Sequence, residues 1–370
     1  MLFHSRAKKF TVCFHDMLQV SDMVQVFTRQ NILRKEVINM TRHMFAGAVT
    51  PEGFVDYFDE IMPTAKAEMR IYLKGSSGSG KSTFIKKIAA AFEADGNRTE
   101  RFHCSNDPES LDALTIPAKK ICILDATAPH SRDPKIPGAI DKIIDFANFI
   151  DTQKIRRFTD EIMTLQRKKA LKNEKTAAYM AAVGNIYLAE LIAEHNTQKN
   201  HSAQEQIPQT ISKWAERLGL HEFSGSLGTD RKLFLSAVTP DGVVSYADSY
   251  FHGCKVHDIS EDVGTQAGVI LNELKIRANT AGFKTESFHC PFAPKRLDYL
   301  HLPQKKIALC AIATIKSELF ESAIAATIES MRTSRSAHTK LEEIFACTID
   351  FEKVRKLTDE TVNMIKNCFL

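Results

Sequence analysis

The sequence predicts an α/β protein made of two related units, each a parallel sheet with helices on both faces. Two observations predict this fold class. Short apolar segments alternate with amphipathic segments of helical period, and three segments of the first half recur in the same order in the second half. Alternating strands and helices are typical of parallel sheets covered by helices. The length of 370 residues also exceeds what a single domain usually needs.

The internal repeat is visible in three aligned pairs of segments. RHMFAGAVTPEGFVDY (42–57) aligns with RKLFLSAVTPDGVVSY (231–246), FHCSNDPESLDALTIPAKKICIL (102–124) with FHCPFAPKRLDYLHLPQKKIALC (288–310), and IDTQKIRRFTDEI (150–162) with IDFEKVRKLTDET (349–361). The offsets of 189, 186 and 199 residues are nearly constant, which indicates a tandem duplication.

The repeat divides the chain into four predicted parts. Residues 1–41 are an N-terminal extension of unknown role, and 42–150 are the first unit. Residues 151–225 are a helical segment rich in Ala, Lys, Glu and Leu, and 226–370 are the second unit with C-terminal helices. The corresponding helical stretch of the second unit, 316–346, precedes its IDFEK segment instead of following it.

Each element of the first unit follows from its pattern. Met44 to Val49 reads as a strand, and a Thr-Pro-x-Gly turn follows it. Phe54, Tyr57, Phe58 and Ile61 have the spacing of one helix face. MRIYLK (69–74) predicts a strand, 82–94 a helix ended by DGN, and TERFHC and KICIL two strands separated by a loop.

A glycine-rich loop lies between the strand MRIYLK and the helix that follows. Gly75, Gly80, Lys81 and Ser82 fit the pattern G-x-x-x-x-G-K-[ST] of a phosphate-binding loop, or P-loop. Backbone N–H groups and the positive end of the helix dipole would surround the phosphates of ATP. Lys81 would reach the β- and γ-phosphates, and the Ser82 hydroxyl would hold Mg²⁺. The predicted nucleotide-binding residues are Gly75, Ser76, Ser77, Gly78, Ser79, Gly80, Lys81, Ser82 and Thr83.

An acidic residue for the magnesium shell is expected at the end of a neighbouring buried strand. ICILDAT supplies Asp125, and Asp145 in KIIDF is a weaker alternative. The predicted catalytic residues are Lys81, Asp125 and His130. The last of these lies in the segment 127–138, where Thr127, Arg132, Asp133 and Lys135 are also expected beside the γ-phosphate.

Several signatures of nucleotide-binding proteins are missing. Ala126 stands where many motor ATPases place a catalytic glutamate. The guanine-nucleotide motifs are absent as well: residue 128 is Ala, so Asp125 does not begin a D-x-x-G motif, and N-K-x-D does not occur. The LSGGQ signature of transport ATPases of the ABC type does not occur. The sequence therefore predicts ATP and Mg²⁺ as ligands but leaves the class of reaction open.

The second unit has lost the charged groups of this loop. At the offset of 186, Gly75 aligns with Glu261, Lys81 with Ala267 and Ser82 with Gly268, while Asp125 aligns with Ala311. The second unit is therefore predicted not to bind nucleotide. It could serve packing, if two related sheets bury each other, or it could close over the first site or contribute a basic residue to it, for which Arg231 is a candidate.

The chain resembles a family of uncharacterised bacterial proteins described only as P-loop ATPases with two tandem P-loop units. The resemblance is carried by FAGAVTPEGF, YLKGSSGSGKSTFIKKI, FHCSNDPESLDALTIPAKKICILDATAPH and DPKIPGAIDKIIDF, and it covers nearly the whole chain after about Met40. The resemblance implies ATP binding. In that family the second unit often keeps a glycine-lysine loop, and this sequence departs from the family there.

Composition bounds the remaining possibilities. Charged residues make up 25% and the net charge is only +4, so a nucleic-acid partner is not favoured. No convincing signal peptide and no membrane-length apolar run is read from the sequence, which favours a cytoplasmic protein without a membrane partner. Three functions stay open: an ATPase, a kinase that transfers the γ-phosphate to a small-molecule acceptor, and a non-catalytic ATP sensor that acts on a protein partner.

Overall fold

The computed structural model describes residues 41–195, 206–220, 225–260 and 264–367. The predicted N-terminal extension lies, apart from Thr41, outside the described residues. The strands are β1 Arg42–Phe45, β2 Gly47–Thr50, β3 Gly53–Asp56, β4 Met69–Lys74, β5 Glu100–His103, β6 Leu111–Ile116, β7 Ile121–Asp125, β8 Asp141–Asp145, β9 Asp230–Leu233, β10 Ser236–Thr239, β11 Gly242–Ser245, β12 Lys255–Asp258, β13 Thr285–Cys290, β14 Ala293–Leu302 and β15 Ile307–Cys310. The helices are α1 Phe58–Ile61, α2 Lys81–Ala94, α3 Thr152–Arg156, α4 Thr159–His195, α5 Ile207–Arg217, α6 Ala247–Tyr250, α7 Ala267–Thr280, α8 Glu318–Ala346 and α9 Phe351–Asn367.

The strands form two large mixed sheets. The first has the order β1-β5-β6-β7-β4-β8, and the second has the order β12-β15-β14-β13-β9. The neighbours β1–β5, β7–β4 and β4–β8 are parallel, but β6 runs antiparallel to both of its neighbours. The prediction of an α/β fold with parallel strands is confirmed at this level. The fully parallel sheet is wrong, because the segment between β5 and β7, predicted as a loop, forms the strand β6.

The two sheets pack face to face. Side chains alternate along each strand, so Tyr72 of β4 faces the second sheet while Ile71 and Leu73 face α2. The cluster between the sheets combines residues such as Phe102 of the first sheet with Phe288 of the second. The longer helices cover the outer faces, with α2 and α9 on the first sheet and α5 and α7 on the second. The four-residue helices α1 and α6 instead pack into the cluster between the sheets. The prediction of helices on both faces of each sheet is met only in part, because the inner faces bury each other and leave room there, among the described helices, only for α1 and α6.

Residues that the repeat aligns also contact each other. Phe45 and Phe234 exchange two backbone hydrogen bonds, of 2.9 and 3.1 Å. Ile150 and Ile349 form a second antiparallel bridge at the start of α3 and α9. These pairs tie the two halves of the chain together at two separate points.

The helix predicted from the spacing of Phe54 to Ile61 is only partly present. The turn at 50–53 reverses the chain into the hairpin β2–β3, with Gly53 at a φ of 97°, and only Phe58–Ile61 is helical. The left-handed backbone at Gly53 permits this tight hairpin. Strand pairing therefore outweighs the helical spacing of the aromatic residues.

Helices α4 and α8 form a long pair that spans both halves. Leu165 of α4 packs with Leu341 and Ile344 of α8. Polar contacts join the same helices, with Thr176 Oγ1 2.9 Å from Ser330 Oγ and Ser334 Oγ donating to Asn173 Oδ1 at 2.7 Å. The long predicted helix of the segment 151–225 is thus paired with the C-terminal half.

Helix α4 is long and apolar enough to cross a membrane by length and composition alone. An 18-residue window within Thr159–Glu194 has a mean hydropathy of 1.3, and 28% of the window is buried. The sequence-based expectation that no such segment occurs is therefore not met. Core helices pass the same test, and the inward side of this helix, with Met180, Val183 and Tyr187, packs against Phe320.

Buried charges lie between the two sheets around Arg231. Its guanidinium donates to both oxygens of Glu100, at 2.8 and 3.2 Å, and lies 3.5 Å from Glu286. Burial opposes ionisation of Glu286, but the hydrogen bond with His301 and the charges of Arg231 and Arg42 lower its pKa to about 2. These groups stabilise the contact between the halves only as a complete set, since a buried charge without a partner is costly.

Candidate functional site

The glycine loop 75–80 joins β4 to α2 as the sequence predicts. Gly75, Gly78 and Gly80 have φ values of 140°, 74° and 93°, where residues with a Cβ are strained. Gly80 precedes α2 without a side-chain cap, so the first N–H groups of the helix are directed at the loop. A glycine loop followed by an uncapped helix N-terminus is suited to binding an anion.

Lys81 is buried and folded back onto the loop. Its Nζ donates to the carbonyl oxygens of Gly75 at 2.7 Å and Ser76 at 2.8 Å, and it lies 3.6 Å from Asp125 Oδ2. The strands β4 and β7 are direct neighbours, with Leu73 opposite Asp125, which brings this carboxylate to the loop. Lys81 and Asp125 therefore meet as the sequence predicts.

Ser82 and Asp125 offer oxygen ligands that suit Mg²⁺. Both residues line the cavity in front of the loop, and Ser82 Oγ accepts a hydrogen bond from Leu111 N at 3.0 Å. Within the described residues, no group of three or more His, Cys, Asp or Glu side chains could hold a metal alone. A magnesium ion that keeps few protein ligands and takes the others from phosphate and water fits this donor set.

His130 lies in the same cavity beside a carboxylate that the sequence analysis missed. Its ring stacks on Phe58 with centroids 4.4 Å apart, and its Nε2 lies 3.8 Å from Asp112 Oδ2. The buried His130 Nδ1 has no hydrogen-bond partner in the described part of the chain. Burial raises the pKa of Asp112 to about 6. Asp112 lies on the unpredicted strand β6, and the apolar residues that flank it in LDALTI were the available signal.

Three residues of the segment 127–138 lie away from the cavity. Arg132 pairs with Asp56 and Asp59, Lys135 with Asp59, and the exposed Asp133 with Lys74. Their expected place beside the γ-phosphate is wrong, and only Thr127 and His130 of the five line the cavity.

Two further candidates, Asp145 as the acid for magnesium and Arg231 as a basic residue of the site, also lie outside the cavity. Asp145 is exposed and accepts a hydrogen bond from Ala147 N at 2.8 Å. Arg231 lies between the sheets and does not line the cavity. The hypothesis that Arg231 contributes to the first site is therefore wrong.

Other polar residues, three of them basic, reach the cavity from the helices α4 and α8. Lys169 and Asn173 come from α4, and Arg335 and His338 from α8. Arg335 donates to Asp107 at 2.7 Å and to Asp241 at 3.1 Å. No local sequence pattern marks these four residues, because polar and charged side chains on a helix usually face solvent. The cavity they share with the loop has a volume of about 350 Å³.

The corresponding place in the second sheet is filled by a side chain. Arg296 donates to the Thr265 carbonyl at 2.7 Å and to the Ala311 carbonyl at 2.5 Å. A Cβ on Gly268, at the start of α7, would lie 2.8 Å from the Arg296 guanidinium. Thr265, Gly268 and Ala311 align with Ser79, Ser82 and Asp125, so an internal cation lies against the backbone that would face phosphate. Glu261, the counterpart of Gly75, lies outside the described residues.

Comparison with known proteins gives a partial likeness to an ATP-binding protein. No family model matches the chain, and no solved structure matches it. The chain is similar to the ribose import ATP-binding protein RbsA 1 of Streptomyces avermitilis, at 32% identity over 121 residues, or 30% of this chain and 21% of that protein. The chain thus matches about a fifth of the length of this relative. Loop geometry and likeness together indicate an α/β protein with a nucleotide-binding site of the P-loop NTPase type.

Proposed function

We propose that this protein binds Mg·ATP at the loop 75–83 and hydrolyses it. The observation that carries the proposal is the convergence of Lys81, Ser82 and Asp125 on one cavity at an uncapped helix N-terminus. Lys81 would exchange its loop carbonyl partners for the β- and γ-phosphates. Magnesium, when bound by Ser82 and Asp125, would neutralise phosphate charge.

Asp112 is proposed as the general base. A water oxygen forms a bond to the γ-phosphorus, the bond from that phosphorus to the β–γ bridging oxygen breaks, and the proton of the water passes to the Asp112 carboxylate. The products are ADP and inorganic phosphate. A carboxyl with a pKa of about 6 is ionised at neutral pH but still basic enough to accept a proton. His130, 3.8 Å away, would orient this carboxylate.

We expect Asp112→Asn to slow ATP turnover by about 10²–10⁴-fold, because a positioned base contributes rate of that order. ATP affinity should change by less than about threefold, since binding relies on the loop. Asp298→Asn is the matched control: Asp298 is the aligned residue of the second unit, is buried, and has a pKa raised by burial to about 6. Steady-state phosphate release would measure both variants. If both variants lost the same fraction of the phosphate-release rate, the effect of Asp112→Asn would be explained by a defect in folding and not by loss of the base.

We further propose that the chain is a tandem duplication with one working site. The aligned strands follow the same order in both sheets, which supports a common origin. The Arg296 side chain at the start of α7 supports the loss of binding in the second unit. Membership of the uncharacterised bacterial family and a cytoplasmic location remain proposals of the same kind.

The experiment that tests the function counts nucleotide and phosphate together. Equilibrium dialysis with Mg·ATP should give one nucleotide per chain, and the same preparation should release phosphate. Two nucleotides per chain would contradict the single site. ATP binding without phosphate release would contradict hydrolysis and would favour the kinase function.

The kinase function is favoured by one feature of the cavity. Beyond the loop it is lined by polar side chains that a triphosphate on the loop need not use, among them Asn106, Asp107 and Asn173. Asp112 could equally take the proton of an acceptor hydroxyl. ADP formed without inorganic phosphate, in the presence of a pool of small hydroxyl compounds, would support this function.

A further inference from the structure

The backbone of α8 lies directly against the glycine loop. A Cβ on Gly78 would be 2.4 Å from the carbonyl oxygen and 2.6 Å from the Cα of Glu342. Gly80 is likewise close to Phe351 and Val354 of α9. The C-terminal helices therefore form part of the wall of the nucleotide site. A movement of the loop backbone at Gly78 would press directly on the backbone of α8.

A lysine of α4 enters the cavity at the same place. Lys169 Nζ lies 2.9 Å from His338 Nδ1 of α8, and this nitrogen lies 3.5 Å from Ser77 Oγ of the loop. The contacts form a chain from α4 through α8 to the third residue of the loop. Residues 77, 169 and 338 meet although they are far apart in sequence.

Lys169 has weaker compensation for its charge than the neighbouring cations have. Arg335 has two carboxylate partners, and Lys81 has two carbonyl groups and Asp125. Within the described residues, no carboxylate forms an ion pair with Lys169. Glu342 instead lies 3.4 Å from His338 Nε2. Burial lowers the pKa of Lys169, although the nearby Cys104 and Glu342 act in the opposite direction, and this lowering reflects the cost of the charge. A partly buried ammonium group beside an imidazole is stabilised if an anion enters the cavity.

The anion that fits is the terminal phosphate of the nucleotide. The loop lysine reaches the β- and γ-phosphates, and Lys169 lines the same cavity from outside the loop. Building on the ATP binding proposed above, we propose that Lys169 binds the γ-phosphate, so that the helix pair α4/α8 distinguishes ATP from ADP. The γ-phosphate would replace His338 as the partner of Lys169 and would thereby change the contact between the two helices.

The test compares Lys169→Met with Lys168→Met, its exposed neighbour on the same helix. Isothermal titration with Mg²⁺ would measure the affinity for a non-hydrolysable ATP analogue and for ADP. Lys169→Met should weaken analogue binding about 10- to 100-fold, the range for a hydrogen bond to a charged group. ADP affinity should stay within about twofold, and Lys168→Met should change neither.

A charge-preserving variant guards against a folding effect. Lys169→Arg should keep the preference for the analogue over ADP within about fivefold of the unmodified protein. An equal loss for analogue and ADP in Lys169→Met, or no loss for the analogue, would overturn the assignment while leaving ATP binding intact. Absence of analogue binding in the unmodified protein would instead overturn the proposed function, and the γ-phosphate assignment with it.

Discussion

Replacing Lys81 with methionine is expected to weaken ATP binding about 10- to 100-fold and to slow turnover by about a further 10²–10³-fold. The affinity loss follows from removing charge-assisted hydrogen bonds to phosphate. The additional rate loss follows from removing a cation that stabilises charge developing in the transition state. Methionine keeps the length of the buried stem, so the loop should retain its packing. Phosphate release and nucleotide titration would be measured on the same protein.

Lys87→Met is the control for this variant. Lys87 lies on the exposed side of the same helix, outside the cavity, and its replacement removes the same charge. It should bind and turn over ATP like the unmodified protein. If Lys81→Met bound ATP with unchanged affinity, the glycine loop would not be the nucleotide site.

Replacing Arg231 with alanine is expected to lower the free energy of unfolding by about 3–5 kcal/mol without changing ATP affinity. The variant leaves Glu100 and Glu286 buried between the sheets without their principal cation, and losses of this size are typical when one partner of a buried pair is removed. ATP affinity should be unaffected because Arg231 does not line the cavity. Urea-induced unfolding would measure the first effect and nucleotide titration the second.

The pH dependence of stability gives a second readout for Arg231. Burial opposes ionisation of Glu100, but Arg231 holds its pKa below the ordinary value, and the pKa of Glu286 is lowered to about 2. Such carboxylates contribute stability above their unfolded pKa near 4.5, and this contribution is lost as pH falls toward 2. Arg231→Ala should therefore flatten the loss of stability below pH 4.5. Lys232→Ala, an exposed neighbour, should leave both readouts unchanged.

The elements predicted from local patterns agree best with the structure where adjacent residues determine the backbone conformation. The strand β4, the loop and the helix α2 occupy the predicted positions, since glycine backbone freedom and the helix start are set by adjacent residues. Asp125 could also be foreseen, because an acid at the end of a buried strand lies at one edge of the sheet. The strand β6 was missed, and with it Asp112.

What only the tertiary structure decided depends on contacts between distant residues. The face-to-face packing of the sheets places Arg231 among buried carboxylates, and the pairing of α4 with α8 carries Lys169 and His338 to the loop. Local spacing carries no information about which surfaces meet, because burial is shared between segments more than 100 residues apart. The sequence by itself determined the glycine-rich loop and the absence of its lysine and serine from the aligned positions of the second half. The tertiary structure decided which side chains surround that loop, because only the packed chain brings them within hydrogen-bonding distance of the loop and of each other.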